Sequence, residues 1–166
     1  DQGQFVPYVQ PIVDAETREV VALETLARWA HPDRGVLLPA DFIDDAEGFD
    51  LLDALTLRLV DSVREHRAAI DALFPSVTIA FNLSPRQLRH PELLTALSRM
   101  AAGGLPCTIE VTEAAAFGDD ESLRALTGLR ELGVRTSLDD FGTGYSSVAH
   151  LKAFGFDEVK IARDFV

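Results

Sequence analysis

The sequence predicts an α/β fold built on a parallel sheet, and three observations carry that expectation. Strand-like and helix-like runs alternate through most of the 166 residues, a rhythm that calls for parallel strands joined by helical crossovers. The chain opens on two neighbouring strand-like runs with a short polar link, the pattern of a hairpin. Where a doubly wound nucleotide fold would carry a glycine-rich turn after its first strand, the residues are Asp14-Ala15-Glu16-Thr17. A barrel therefore fits the rhythm better than an open doubly wound sheet.

Each element has a local reason. Phe5–Val13 and residues 19–29 are rich in β-branched and aromatic residues and form the hairpin. Pro39 followed by Asp41 starts a short helix over residues 40–47. Leu52, Leu55, Leu59, Val63 and Ile70 recur at spacings of three, four and seven, which predicts one amphipathic helix over residues 50–73. Residues 77–82 are a short apolar strand between Pro75 and Pro85. Pro91–Ala102 is a helix closed by Gly103 and Gly104. Cys107–Thr112 is a strand, and residues 119–132 are a helix with acids in its first turn. Residues 134–139 form a strand, residues 146–154 a helix and Glu158–Ile161 a last strand.

Composition narrows the partners. Hydrophobic residues make up 47% and charged residues 25%, the balance of a globular domain. The formal net charge of −12 argues against duplex nucleic acid and against direct contact with an anionic membrane. A single cysteine, Cys107, excludes an internal disulfide. The chain begins at Asp1 with no secretory signal pattern, so a piece of a longer protein is expected.

The polar residues suited to chemistry fall at successive strand ends. They are Asn82, Glu110, and Asp139 with Asp140, and the intervals are 28 and 29 residues, about one βα unit each. Lys160 lies on the last strand and Glu24 within the second. In a parallel barrel these ends converge on the face that carries catalysis. Oxygen donors of this kind suit Mg²⁺ or Mn²⁺, and adjacent aspartates suit a two-metal site for phosphoryl displacement. Zinc is disfavoured, because His31, His66, His90 and His150 have no ligand-like spacing. Glu24, Leu26 and Arg28 share one strand face, so a guanidinium would stand beside the metals and fork onto a phosphate. Lys160 would orient the attacking water or neutralise developing charge. Taken singly, each acid reads as a solvated strand residue, Asp139-Asp140 as turn chemistry and Ser84 as a helix cap. Their recurrence at strand ends is what points to a metal site.

Several segments carry a specific resemblance. Tyr8-Val9-Gln10-Pro11-Ile12, Leu23-Glu24-Thr25-Leu26-Ala27-Arg28-Trp29, Phe81-Asn82-Leu83-Ser84-Pro85 and Ile109-Glu110-Val111-Thr112-Glu113 occur in that order. Asp139-Asp140-Phe141-Gly142-Thr143-Gly144-Tyr145-Ser146-Ser147 follows, and the whole set resembles the EAL domain family. The resemblance implies a TIM-like (β/α) barrel with an antiparallel first strand, of which about six of the eight strands lie within residues 1–166. It implies a bacterial phosphodiesterase that hydrolyses the cyclic dinucleotide c-di-GMP to linear pGpG with Mg²⁺ or Mn²⁺. Glu24, Asn82, Glu110 and Asp139 would hold the first metal, Asp139 bridging and Asp140 holding the second. Gln10, Leu26 and Arg28 would contact substrate, Arg28 at a phosphate, and Lys160 would assist the nucleophilic water. Glu113 would anchor the loop of residues 140–147, which in this family shapes the second metal site and a homodimer surface. The domain itself would face the cytoplasm.

Two residues depart from the family pattern. Thr25 replaces alanine in the signature Glu-Ala-Leu, and Ala162 replaces the aspartate of Lys-Ile-Asp. The C-terminal strands with their further glutamate are absent from this stretch. The alternative expectation is therefore a degenerate EAL module that binds c-di-GMP or a partner protein without turnover.

Overall fold

The aromatic and β-branched runs at the start of the chain pair as the pattern demands. In the computed structural model β1 (Phe5–Val13) and β2 (Val20–His31) run antiparallel, with Phe5 opposite Trp29 and Val13 opposite Val20. Residues 3–142, 151 and 154–165 are described, and the chain divides into two compact units, Asp1–Ile79 and Ala80–Val166. Asp14 closes the hairpin, its carboxylate accepting the backbone N–H of Thr17 at 2.7 Å and of Glu16 at 2.9 Å. These donors, Thr17 first, hold the Asp14 carboxyl below the usual carboxylate range.

Alternation then sorts the faces of the hairpin. Leu23, Thr25 and Ala27 are buried, while Glu24, Leu26 and Arg28 are only half-buried. Directly opposed residues share a face, and Val9 opposes Thr25 while Gln10 opposes Glu24. The short β3 (Gly35–Leu37), which the sequence pattern did not reveal, adds to the end of β2. Phe5 stacks on Trp29 and tilts against Phe42, with centroids 5.4 and 5.6 Å apart.

Two expected helices are divided. Residues 40–47 resolve into a single turn at Pro39–Asp41 and α1 (Ile43–Gly48). Residues 50–73 resolve into α2 (Leu52–Glu65) and α3 (Arg67–Leu73). Between them His66 leaves helical geometry, and its ring Nδ1 lies 2.8 Å from the Ser62 carbonyl oxygen. α2 buries Leu55, Leu59, Val60 and Val63 and packs on β1.

β4 (Thr78–Asn82) spans the boundary of the two units, and β5 (Cys107–Thr112), β6 (Arg135–Phe141) and β7 (Glu158–Ile161) of the second unit follow it in that order. β5 pairs parallel with β6, and β6 with β7. Only the last residue of β5 is exposed, the continuous burial of a strand covered on both faces. Helices α4 (Pro91–Ala102), α5 (Glu113–Phe117) and α6 (Asp120–Glu131) intervene. Asp119 caps α6 by accepting the Ser122 N–H at 2.8 Å. That bond, aided by the Arg89 guanidinium, holds the Asp119 carboxyl below its usual range. The helix expected over residues 146–154 lies largely outside the described residues. No helix among the described residues is long and apolar enough to cross a membrane.

The register of β7 is fixed by one side chain. Asp157 accepts the Thr136 N–H at 2.8 Å and its hydroxyl at 3.2 Å, and donates its own N–H to the Thr136 carbonyl at 2.9 Å. Arg130 of α6 completes the bracket, 3.6 Å from Asp157 and bonded to the Phe154 carbonyl at 3.1 Å.

Asp157→Ala leaves a backbone donor of β6 without its acceptor, so chemical denaturation is expected to read a loss of about 1–3 kcal/mol. Thr25 carries a buried hydroxyl with no hydrogen-bond partner among the described residues. Thr25→Val removes that group at nearly constant shape and should raise stability by about 1 kcal/mol in the same assay. Cys107 is fully buried and its thiol is pushed up to about 12 by that burial. A thiol that ionises only after unfolding adds stability below the unfolded pKa, about 8.5, and loses it as pH rises toward 12. Alkylation of Cys107 at pH 8 should be undetectable until denaturant is added, and stability should fall above about pH 9.

Candidate active site

The parallel register brings a buried acid and a lysine onto one face. Glu110 opposes Ser137 across β5 and β6, and Ser137 opposes Glu158 across β6 and β7. Lys160 stands two residues beyond Glu158 and so shares its face. Glu110 is 1% exposed, and its carboxylate is ion-paired with the Lys160 ammonium. The strand between them contributes the small, fully buried Ser137, over which a lysine side chain can reach. Ser137 carries no signal in the sequence beyond its place one β period before Asp139.

A bulge sets the two aspartates. Leu138 opposes Val159 and Phe141 opposes Ile161, so Asp139 and Asp140 together face the single residue Lys160. Strict alternation would send adjacent side chains to opposite faces, and a bulge relaxes that rule. Asp140 takes φ 52°, a left-handed value that aspartate tolerates better than most residues. Asp139 is half-buried and Asp140 exposed.

The β4 and β5 exits are tied together as well. The Leu83 N–H donates to the Glu110 carbonyl at 3.0 Å, directly after Asn82, the exposed last residue of β4. Ser84 and Gln87 exchange bonds, the Ser84 N–H to Oε1 at 3.1 Å and the Gln87 N–H to Oγ at 3.5 Å. The cap expected at Ser84 is therefore paired with a buried glutamine that the sequence did not single out. Glu113 opens α5 and is buried, and its Oε1 accepts the Gly142 N–H at 3.2 Å. Gly142 has φ 106°, and a Cβ there would meet the Phe165 ring at 2.8 Å, so glycine is required. Residues 143–147 of the loop, with the dimer surface expected there, lie outside the described residues.

The remaining expected residues lie on the first unit's hairpin. Gln10 opposes Glu24 and Tyr8 opposes Leu26, while Arg28 sits one step further along the same face. Arg28 donates Nη1–H to the Ala27 carbonyl at 2.8 Å, and its guanidinium carbon lies 5.5 Å from the Tyr8 ring centroid. Tyr8 was not among the expected site residues, although counting back one β period from Gln10 reaches it.

The donor chemistry fits a hard cation. On the second unit Asn82, Glu110, Asp139 and Asp140 offer oxygen donors, and Glu110 is a buried carboxylate of the kind that demands compensating positive charge. Among the described residues no three His, Cys, Asp or Glu side chains stand grouped to hold a metal ion. Lys160 occupies the charge-compensating role beside Glu110.

Comparison with known proteins gives a consistent family. An uncharacterized signaling protein of Caulobacter vibrioides is 40% identical over 170 residues, covering 99% of this chain and 20% of that protein. Cyclic di-GMP phosphodiesterase RocR of Pseudomonas aeruginosa is 35% identical over 171 residues, covering 100% of this chain and 44% of RocR. The chain thus spans less than half the length of either relative. Among solved structures, the PaMucR phosphodiesterase in complex with c-di-GMP matches with a TM-score of 0.88 at 36% identity, over 99% of this chain and 69% of that one. The match to the EAL domain runs over residues 1–166. With its α/β order, its antiparallel opening pair and a match along its whole length, the chain belongs to the EAL domain family.

Proposed function

We propose that this EAL chain, within the protein that carries it, hydrolyses c-di-GMP to linear pGpG with Mg²⁺ or Mn²⁺. The observation that carries the reading is the strand-end charge pattern, a buried Glu110 paired with Lys160 beside the bulged Asp139 and Asp140. The substrate reading is supported by RocR, a cyclic di-GMP phosphodiesterase, and by the nucleotide bound in PaMucR.

Glu24, Asn82, Glu110, Asp139 and Asp140 would hold the cations. When bound, two divalent cations supply positive charge against the phosphodiester oxygens as displacement proceeds. Arg28 directs its forked N–H donors at a phosphate, and Gln10 and Leu26 contact the nucleotide from the same hairpin face. Lys160 orients the attacking water. The water oxygen bonds to phosphorus and gives up a proton, and the bond to the ribose oxygen breaks on the opposite side, that oxygen taking up a proton to leave as a hydroxyl. Glu113 holds the base of the loop at Gly142. A homodimer through the face of residues 140–147 and a cytoplasmic setting complete the proposal.

Ala162 favours a second reading. It is 3% exposed, directly follows β7 and carries no carboxylate two residues after Lys160. A module that binds c-di-GMP without cleaving it would tolerate that residue.

Incubation with c-di-GMP and Mn²⁺ should release pGpG, and chelation should abolish release. Glu110→Gln and Lys160→Met should each lower the rate by about 10²–10⁴-fold. Tight c-di-GMP binding by calorimetry with no pGpG would establish the second reading. Neither binding nor release would overturn both.

A further inference from the structure

We propose that Tyr8 is a positioning residue, its ring holding the Arg28 guanidinium in the orientation that meets a nucleotide phosphate. The inference rests on the c-di-GMP reading for what Arg28 binds, and on the hairpin alone for how Arg28 is held.

Arginine has a long, flexible stem, and its fork is useful for phosphate only when its plane is fixed. Two contacts fix it in this chain. Nη1–H donates to the Ala27 carbonyl at 2.8 Å, which restrains one corner of the guanidinium. The Tyr8 ring lies under the group, with the guanidinium carbon 5.5 Å from the ring centroid, within cation–π range. A guanidinium has five N–H donors, so the remaining edges stay available for an anion.

The backbone makes the contact reproducible. Antiparallel register sets Val6 opposite Arg28 and Tyr8 opposite Leu26, so Tyr8 and Arg28 are diagonal neighbours on one face. Diagonal pairs are within reach of aromatic and long side chains. Gln10 and Glu24 follow as the next opposed pair on that face. Tyr8 is 49% exposed, so its ring is not needed for the core and contributes to the face that carries Glu24 and Arg28.

The test uses steady-state kinetics with c-di-GMP and Mn²⁺, together with proton NMR of the nucleotide-free protein. Tyr8→Leu should raise KM about two- to fivefold with little change in kcat, the fold-change that corresponds to an exposed cation–π contact. Tyr8→Phe retains the ring and should restore the wild-type KM. Adding Tyr8→Leu to Arg28→Ala should produce no further change, because a residue acting through Arg28 has nothing left to position. The Arg28 side-chain protons should show an upfield ring-current shift that persists in Tyr8→Phe and vanishes in Tyr8→Leu, a readout independent of turnover. If Arg28→Ala weakens the enzyme while Tyr8→Leu behaves as wild type, the inference is overturned and the phosphodiesterase reading stands. A Tyr8→Leu effect that persists in the Arg28→Ala background also overturns it, since the ring would then touch the ligand directly. Absence of both binding and turnover in the wild-type chain overturns the c-di-GMP reading, and the role of Tyr8 in nucleotide recognition falls with it.

Discussion

A carboxylate withdrawn from water inside a sheet must be compensated, and the second unit is organised around that requirement at Glu110. With 1% of its surface exposed, Glu110 would be costly to ionise without a cation nearby. Lys160 provides the charge from two strands away. For that to happen β7 must keep its register on β6, and the residue between must be small. Asp157 secures the first condition by bracketing Thr136 from both sides. Ser137 meets the second. A one-residue slip of β7 would turn the lysine to the opposite face and leave the acid without this partner.

The same register explains the aspartate pair. In a regular strand one of two adjacent side chains faces away from its neighbour, and a site that needs both would be impossible without an irregularity. The bulge at Asp139 and Asp140 supplies it opposite Lys160. Its left-handed residue is an aspartate, which tolerates that conformation better than a β-branched side chain would. Glu113 then takes the Gly142 N–H just beyond the bulge, so the strand's departure is held from the neighbouring strand's exit.

What the sequence disclosed follows from range. β1, β5 and β7 could be bounded to the residue because each has a turn-forming residue against one end, Asp14 after β1, Pro106 before β5 and Asp157 before β7. The strand-end acids were legible because a βα unit has a nearly constant length. The break between α2 and α3 was hidden, because apolar spacing passes smoothly through His66 and only the ring's contact with Ser62 marks the change. α5 was hidden because Glu113 to Phe117 follow a strand directly, with Thr112 serving both as strand end and as cap. The bulge was hidden because the pair Asp139-Asp140 reads equally well as a turn. Tyr8 was hidden for a different reason: its significance depends on which residue of β2 lies diagonal to it, and register is a property of the pairing rather than of either strand.

Two separate local registers therefore prepare the candidate residues. On the hairpin, antiparallel pairing sets Gln10, Glu24, Leu26 and Arg28 on one face, with Thr25 turned to the buried side. This is why threonine in place of the family's alanine costs the core an unmet hydroxyl and leaves the open face unchanged. On the parallel strands, pairing sets Glu110 and Lys160 on one face and gathers the aspartates at a bulge. Ala162 differs from Thr25 in kind. It follows the strand that carries Lys160, donates its N–H to the Phe141 carbonyl at 3.3 Å and is buried. A methyl there keeps the packing beside the bulge while removing a negative charge from an already acidic end.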